Sequence, residues 1–135
     1  MRNHLYAFFI DSVTNRCYRS CLEYFPRGSL ILDVGIGNGI MVKEHHSLIR
    51  DKGIRIVGID LNEQYLAHCR ELIREYDLKD HIRVINTSVE AFEPGNGLTF
   101  DYVLFSMSFM LFRDQALVLD RVRNWLNGKG KVVFF

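Results

Sequence analysis

One short run constrains this chain more than any other: Asp33-Val34-Gly35-Ile36-Gly37-Asn38-Gly39, set between an apolar, β-branched stretch (Leu30–Val34) and an amphipathic one. Glycines at alternate positions let the main chain turn sharply and let a ligand lie directly on the backbone. The helix expected to follow offers unpaired N–H groups in its first turn. A strand that runs into such a loop and then into a helix opens a βαβ unit, which commits the chain to a parallel sheet with right-handed crossovers.

The rest of the sequence repeats that alternation. After Leu30–Val34, further strands are predicted at Ile54–Ile59, Ile82–Ile85, Tyr102–Phe105 and Val132–Phe135. Most are apolar at consecutive positions, as strands buried on both faces must be. Helices are predicted over residues 5–24, with Leu5, Phe8, Phe9, Val13, Cys17, Cys21 and Leu22 spaced by three and four, and over 39–51, with Gly53 as C-cap. A third, capped by Asn62, runs to Tyr76 and turns Tyr65, Leu66, Cys69, Leu72 and Ile73 inward. A fourth, capped by Asp114, turns Leu117, Val118, Val122, Trp125 and Leu126 inward. Residues 86–99, with Pro94, Gly95 and Gly97, read as a loop with at most one helical turn. The string implies an α/β protein: a three-layer αβα sandwich whose open, mainly parallel sheet has five strands, with the N-terminal helix packed on it.

With 135 residues the chain is expected to be one domain, and 48% apolar and 24% charged residues exclude a disordered one. A net charge of +1 supplies no general field for nucleic acid or anionic membrane. A nucleic-acid partner would need a local patch; Arg16, Arg19 and Arg27 are candidates, read first as a solvated helix face. Three cysteines do not make a disulfide framework, and a reducing, cytoplasmic location is expected. No stretch approaches the ~20 apolar residues of a membrane span. The apolar run Leu5–Ile10 is too short for a secretory signal. His45 and His46 are neighbours on a helix and diverge, so no metal site is expected.

The loop spacing discriminates between ligands. A dinucleotide fingerprint needs its third glycine three residues after the second; here Gly39 comes after two, and Ile40 stands where Gly or Ala is required. Asp33 would repel a pyrophosphate but can accept from a ligand ammonium. No Gly-Lys-Ser/Thr follows, which excludes a P-loop.

Asp33-Val34-Gly35-Ile36-Gly37-Asn38-Gly39 resembles the first motif of the class I S-adenosylmethionine-dependent methyltransferases, an acidic residue followed by G-x-G-x-G. Asp60 occupies the place of that family's second acidic residue, where a carboxylate accepts both ribose hydroxyls. The resemblance puts Leu61 beside the adenine, Ser88 where the family usually has Asp facing the adenine amino group, and the backbone N–H of Val89 on the same ring. Phe100-Asp101-Tyr102-Val103 and Leu126-Asn127-Gly128-Lys129-Gly130 resemble the family's fourth and fifth strand patterns. The implied cofactor is S-adenosyl-L-methionine, with S-adenosyl-L-homocysteine as product. Its expected contacts are Asp33, Gly35, Ile36, Gly37, Asn38, Gly39, Asp60, Leu61, Ser88, Val89 and Ser106. The implied strand order is 3-2-1-4-5.

Residues 1–28 are then an N-terminal helix or lid, and residues 29–135 a Rossmann-like core without the family's sixth and seventh strands. The apolar ending Phe134-Phe135 would leave an exposed sheet edge, which proteins avoid. A shortened version of a longer chain is the preferred reading; a homodimer or a partner covering the strand 5 edge is the alternative. By analogy the methyl acceptor sits beyond strand 4, at Ser106, Met107, Ser108, Phe109 and Met110, beneath Tyr6, Tyr18 or Tyr24. Tyr18, Met107 and Phe109 are the candidate pocket residues, and no catalytic base is assigned. The Ser-Met-Ser-Phe-Met run lacks the motifs of nucleic-acid amino or cytosine C5 methylation, so a small-molecule acceptor is expected. The alternatives are a non-catalytic S-adenosylmethionine-binding fragment or subunit, and an RNA methyltransferase.

Overall fold

The computed structural model describes the backbone of residues 4–135 and side chains from residue 10 onward. The expected positions Leu5, Tyr6, Phe8 and Phe9 therefore lie outside the described side chains. The elements run α1 (His4–Tyr24), β1 (Leu30–Val34), α2 (Ile40–Lys52), β2 (Arg55–Asp60), α3 (Glu63–Glu75), β3 (Ile82–Asn86), β4 (Phe100–Phe105), a short 3-10 turn (Phe109–Leu111), α4 (Gln115–Trp125) and β5 (Leu126–Phe134). The sheet has five strands in the order β3-β2-β1-β4-β5, with every pairing parallel.

Local chemistry sets the boundaries. Asn62 Oδ1 accepts from Tyr65 N at 3.1 Å and Asp114 Oδ1 from Leu117 N at 3.0 Å, each satisfying a free donor of a helix start. Gly53 closes α2 in the left-handed region, its N–H reaching the carbonyls of Arg50 and Ile49. Residues 86–99 contain turns but no helix; Val89 and Phe92 are buried and anchor the segment.

Alternation along the strands divides the core. Ile31, Ile56, Ile82 and Leu104 face one way, against Tyr18 and Leu22 of α1 and Phe25 just after it, Met41, Val42 and Ile49 of α2, and Leu66, Cys69 and Leu72 of α3. Leu32, Val57, Val103 and Phe105 face the other, against Val118, Val122 and Trp125 of α4 and the anchors Val89 and Phe92. One face thus carries three helices, and the other a single helix with the 87–99 connection. Tyr65 and Leu117, expected inward, are about half exposed. Each lies in the first turn of its helix, at the carboxyl edge of the sheet, beyond the last strand side chains. The fifth strand is longer than predicted: it begins at Leu126, directly after α4, with a register shift opposite Phe100/Tyr102.

Gly58, inside β2, answers to packing. A β-carbon there would fall 2.4 Å from Ile36 Cδ1 and 2.9 Å from Ile36 Cγ2. Ile36 therefore leaves the loop downward and fills the space over β2. Gly58→Ala should destabilise the fold by about 1–3 kcal/mol through overpacking. Urea denaturation checks this, and an unchanged midpoint would show that Ile36 can move aside.

Candidate functional site

In an open parallel sheet, ligands bind beyond the carboxyl ends of the strands, where the chain order reverses. Here that point lies between β1 and β4, at the mouth of the glycine loop. A cleft of about 530 Å³ opens there, within the range of small-molecule sites. Its walls come from the β1 end (Val34, Gly35), the β2 end (Ile59, Asp60, Leu61), the segment after β3 (Thr87 to Glu90) and the β4–α4 connection (Ser108, Leu111 to Asp114). A second cleft of about 610 Å³ lies at the amino edge, between Arg27, Asp101, Asn127 and Lys129. There Asp101 is spent on structure, accepting from Leu30 N at 2.8 Å and from the Asn127 amide.

The glycine loop is held by the neighbouring strand. Gly35 N and Ile36 N both donate to Ile59 O, at 2.8 and 3.2 Å. Gly37 N donates to Asp60 Oδ2 and Asn62 N to Asp60 Oδ1, each at 2.9 Å. One carboxylate thus fixes both the loop and the entry to α3, using one acceptor position on each oxygen. Gly37 has φ 70°, a conformation strained for any L side chain. Gly39 has φ 94°, and a β-carbon there would lie 3.0 Å from Leu72 Cδ1 and 3.1 Å from Cys69 Cα. The loop's third glycine lets α2 start directly against α3.

Of the residues proposed from sequence, Gly35, Asp60, Leu61, Ser88 and Val89 line the cleft together. Gly37 faces open space and Asn38 is exposed on the loop. Ile36 and Gly39 are buried in packing instead. Ser88 Oγ accepts from Ala91 N at 3.0 Å, and Ser88 O from Phe92 N at 3.0 Å, so Ser88 shapes the turn that presents Val89. Arg121 of α4 ties down the same turn, donating to Phe92 O at 2.9 Å and Val89 O at 3.4 Å while lying over Trp125.

Asp33 and Tyr18 occupy places the sequence did not suggest. Asp33 is fully buried, off the cleft wall. Tyr18 Oη donates to its Oδ2 at 2.8 Å, and Ser106 Oγ lies 2.6 Å from its Oδ1. Hydroxyls from α1 and from the end of β4 therefore stand where a ligand ammonium was expected. Burial pushes the Asp33 carboxyl up to about 7, against the two hydroxyls, which favour the charged form; the charge of Asp60 adds to the rise. Burial, and then the Asp33 charge, raise the Tyr18 phenol well above its ordinary value, and the Cys69 thiol to about 12. Tyr18 packs edge-on against Phe135 at 5.0 Å and belongs to the core, not to a pocket wall.

Phe109 lies among Phe105, Phe112 and Phe134. Met107 and Met110 are the exposed members of the expected acceptor group; Met107 is held with φ 55° by its N–H to Phe135 O at 2.8 Å. Sequence reading missed the outer wall, Leu111 to Asp114, because no local pattern marks where the β4–α4 connection folds back. Among the described residues no three His, Cys, Asp or Glu side chains gather to hold a metal, and no helix is long and apolar enough to cross a membrane. His45 Nε2 instead meets Asn15 O at 3.1 Å, and His46 stacks on Tyr76.

Comparison with known proteins adds a family match, two curated relatives and a solved structure. Residues 31–130 match the sequence model of a family described as "Methyltransferase domain". The chain is 36% identical over 62 residues to a ribosomal protein L11 methyltransferase from Aquifex aeolicus (strain VF5), covering 46% of this chain and 24% of that one. It is 21% identical over 111 residues to a carboxy-S-adenosyl-L-methionine synthase from Histophilus somni (strain 2336), covering 82% of this chain and 46% of that one. The chain thus spans less than half the length of the curated relatives it matches. Among solved structures, a coclaurine N-methyltransferase bound to N-methylheliamine and S-adenosylhomocysteine superposes with a TM-score of 0.74 at 18% identity, over 92% of this chain and 35% of that one. At that identity the likeness speaks for the fold.

Proposed function

The chain belongs to the methyltransferase-domain family matched by its residues 31–130, and on that premise we propose that it binds S-adenosyl-L-methionine at the carboxyl edge of the sheet for methyl transfer to a small-molecule acceptor. The observation that carries this reading is Asp60. Its carboxylate has about four acceptor positions and spends two on Gly37 N and Asn62 N. The remaining two, on a cleft wall, match the two adjacent hydroxyls of a ribose.

The other walls fit the rest of such a ligand. Leu61, Val89, Leu111 and Phe112 offer an apolar slot for an adenine, and Ser88 and the Val89 backbone border it. Gly37, with Asn38 beside it, leaves the loop surface open to the amino-acid portion, while Gly35 lies close against Ser108. Asp33 and Ser106 support that loop from below, and we assign them no direct ligand contact.

The bound sulfonium supplies an activated methyl group. The protein's task is then to align an acceptor with it and to exclude water. Met107 and Ser108 border the place such an acceptor would occupy. Three free thiols, Cys17, Cys21 and Cys69, accord with a reducing, cytoplasmic location.

A second reading, a cofactor-binding subunit whose acceptor half comes from elsewhere, draws on Met110 and Leu111, which stand 89% and 81% exposed at the cleft mouth. Calorimetric titration separates these readings from a dinucleotide enzyme. S-adenosylhomocysteine should bind in the micromolar range and NAD should not. Binding of NAD alone would overturn the assignment; cofactor binding without turnover on any acceptor tried would favour the second reading.

A further inference from the structure

Ser106 Oγ carries one hydrogen and stands among acceptors: Asp33 Oδ1 at 2.6 Å, Gly35 O at 2.9 Å and Val34 O at 3.3 Å. Val34 O is already served by Ser108 Oγ at 2.7 Å. If Asp33 is ionised, the Ser106 hydrogen goes to it. Ser106 Oγ and Gly35 O then face each other as two acceptors at 2.9 Å with no proton between them. A neutral acid removes the conflict. Tyr18 donates to Oδ2, the acid proton on Oδ1 donates to Ser106 Oγ, and the Ser106 hydrogen goes on to Gly35 O. Every proton then has one acceptor, and the chain of bonds has one direction, from α1 to the glycine loop.

We propose that Asp33 is held as a neutral carboxylic acid and that Tyr18 and Ser106, acting through it, are positioning residues for the glycine loop. Ionisation releases the acid proton to solvent, turns the Ser106 hydrogen back to Oδ1, and frees Gly35 O. The groups facing Asp33 are Tyr18 and Cys21 of α1, Cys69 of α3, Asp60 at the end of β2 and Ser106 beyond β4. All are neutral or negative, so the carboxylate's support comes from hydroxyl hydrogen bonds alone. The carboxyl's rise to about 7 agrees with this proton count.

The test is a carbon-13 NMR titration of the chain labelled at aspartate carboxyls, with the Asp33 signal identified by its loss in Asp33→Asn. Asp33 should titrate near neutral pH, and the Gly35, Ile36 and Gly37 amides should shift with the same midpoint. Tyr18→Phe removes a donor to the charged form and should move that midpoint upward. Ser106→Ala should uncouple the loop amides from it, and Ser106→Thr should restore the coupling. An Asp33 midpoint below pH 5, or loop amides indifferent to it, would overturn the proposal whatever the Tyr18 and Ser106 variants do.

S-adenosylhomocysteine provides a further arm, which rests on the function proposed above. A ligand that needs the loop positioned should raise the Asp33 midpoint. A lowered midpoint would mean direct contact between the ligand ammonium and an ionised Asp33, and would overturn the relay. Absence of binding at every pH would count against the cofactor reading, while the titration of the free protein would still decide the proton relay.

Discussion

Asp60→Ala should lower the affinity for S-adenosylhomocysteine by roughly 100- to 1,000-fold, about 3–4 kcal/mol. Hydrogen bonds to a charged group are worth about 1.5–3 kcal/mol, and the ribose hydroxyls would lose theirs. The same substitution frees Gly37 N and Asn62 N, which now meet Asp60 at 2.9 Å each. The loop and the start of α3 must then be ordered at the ligand's expense, which adds about 1 kcal/mol or more. Asp60→Asn keeps one oxygen acceptor and should fall between the two. Calorimetry at constant pH measures all three proteins. A folded Asp60→Ala variant that binds within about threefold of the parent would remove Asp60 from the site.

Asp33→Asn should change how stability depends on pH. The carboxyl sits at about 7 in the folded chain, against an ordinary value of 3.8. Between those values the native state holds a proton that the unfolded chain has lost. Its contribution to stability is therefore complete below about pH 4, declines as pH rises through about 7, and is constant above that. Each unit is worth about 1.4 kcal/mol. From pH 5.5 to 8 the parent should lose about 2 kcal/mol relative to the variant, because the amide that replaces the carboxyl does not titrate. That amide also reproduces the neutral acid's pattern, with Nδ2–H donating to Ser106 Oγ and the carbonyl accepting from Tyr18. Denaturant curves for both proteins at four pH values provide the test. Parallel pH profiles would mean that Asp33 is ionised throughout.

The strands were legible because strands buried on both faces are short and apolar, while their order came only with the family resemblance. Caps were legible because Asn62 and Asp114 act on a donor three residues away. The cleft-lining positions Gly35, Asp60 and Leu61 were supplied by the family resemblance. The role of Asp33 was not legible, because what decides its chemistry is two hydroxyls 15 and 73 residues distant in sequence. Nor was the outer wall at Leu111 to Asp114, which depends on how a connection returns over the sheet. Gly58 did carry a usable signal: a glycine inside a buried strand marks a close approach, here by Ile36.

Arg121 has a kinetic consequence. It sits on α4 and grips the turn after β3 at Phe92 O and Val89 O, so that turn and α4 are tied to each other beside the proposed adenine slot. Local opening of a protein proceeds in cooperative blocks. Here the 88–92 turn and α4 should exchange their amide hydrogens as one block, separately from the slower central strands. A nucleobase would then enter and leave by the parting of that block, and its residence time would be set by how often Arg121 lets go.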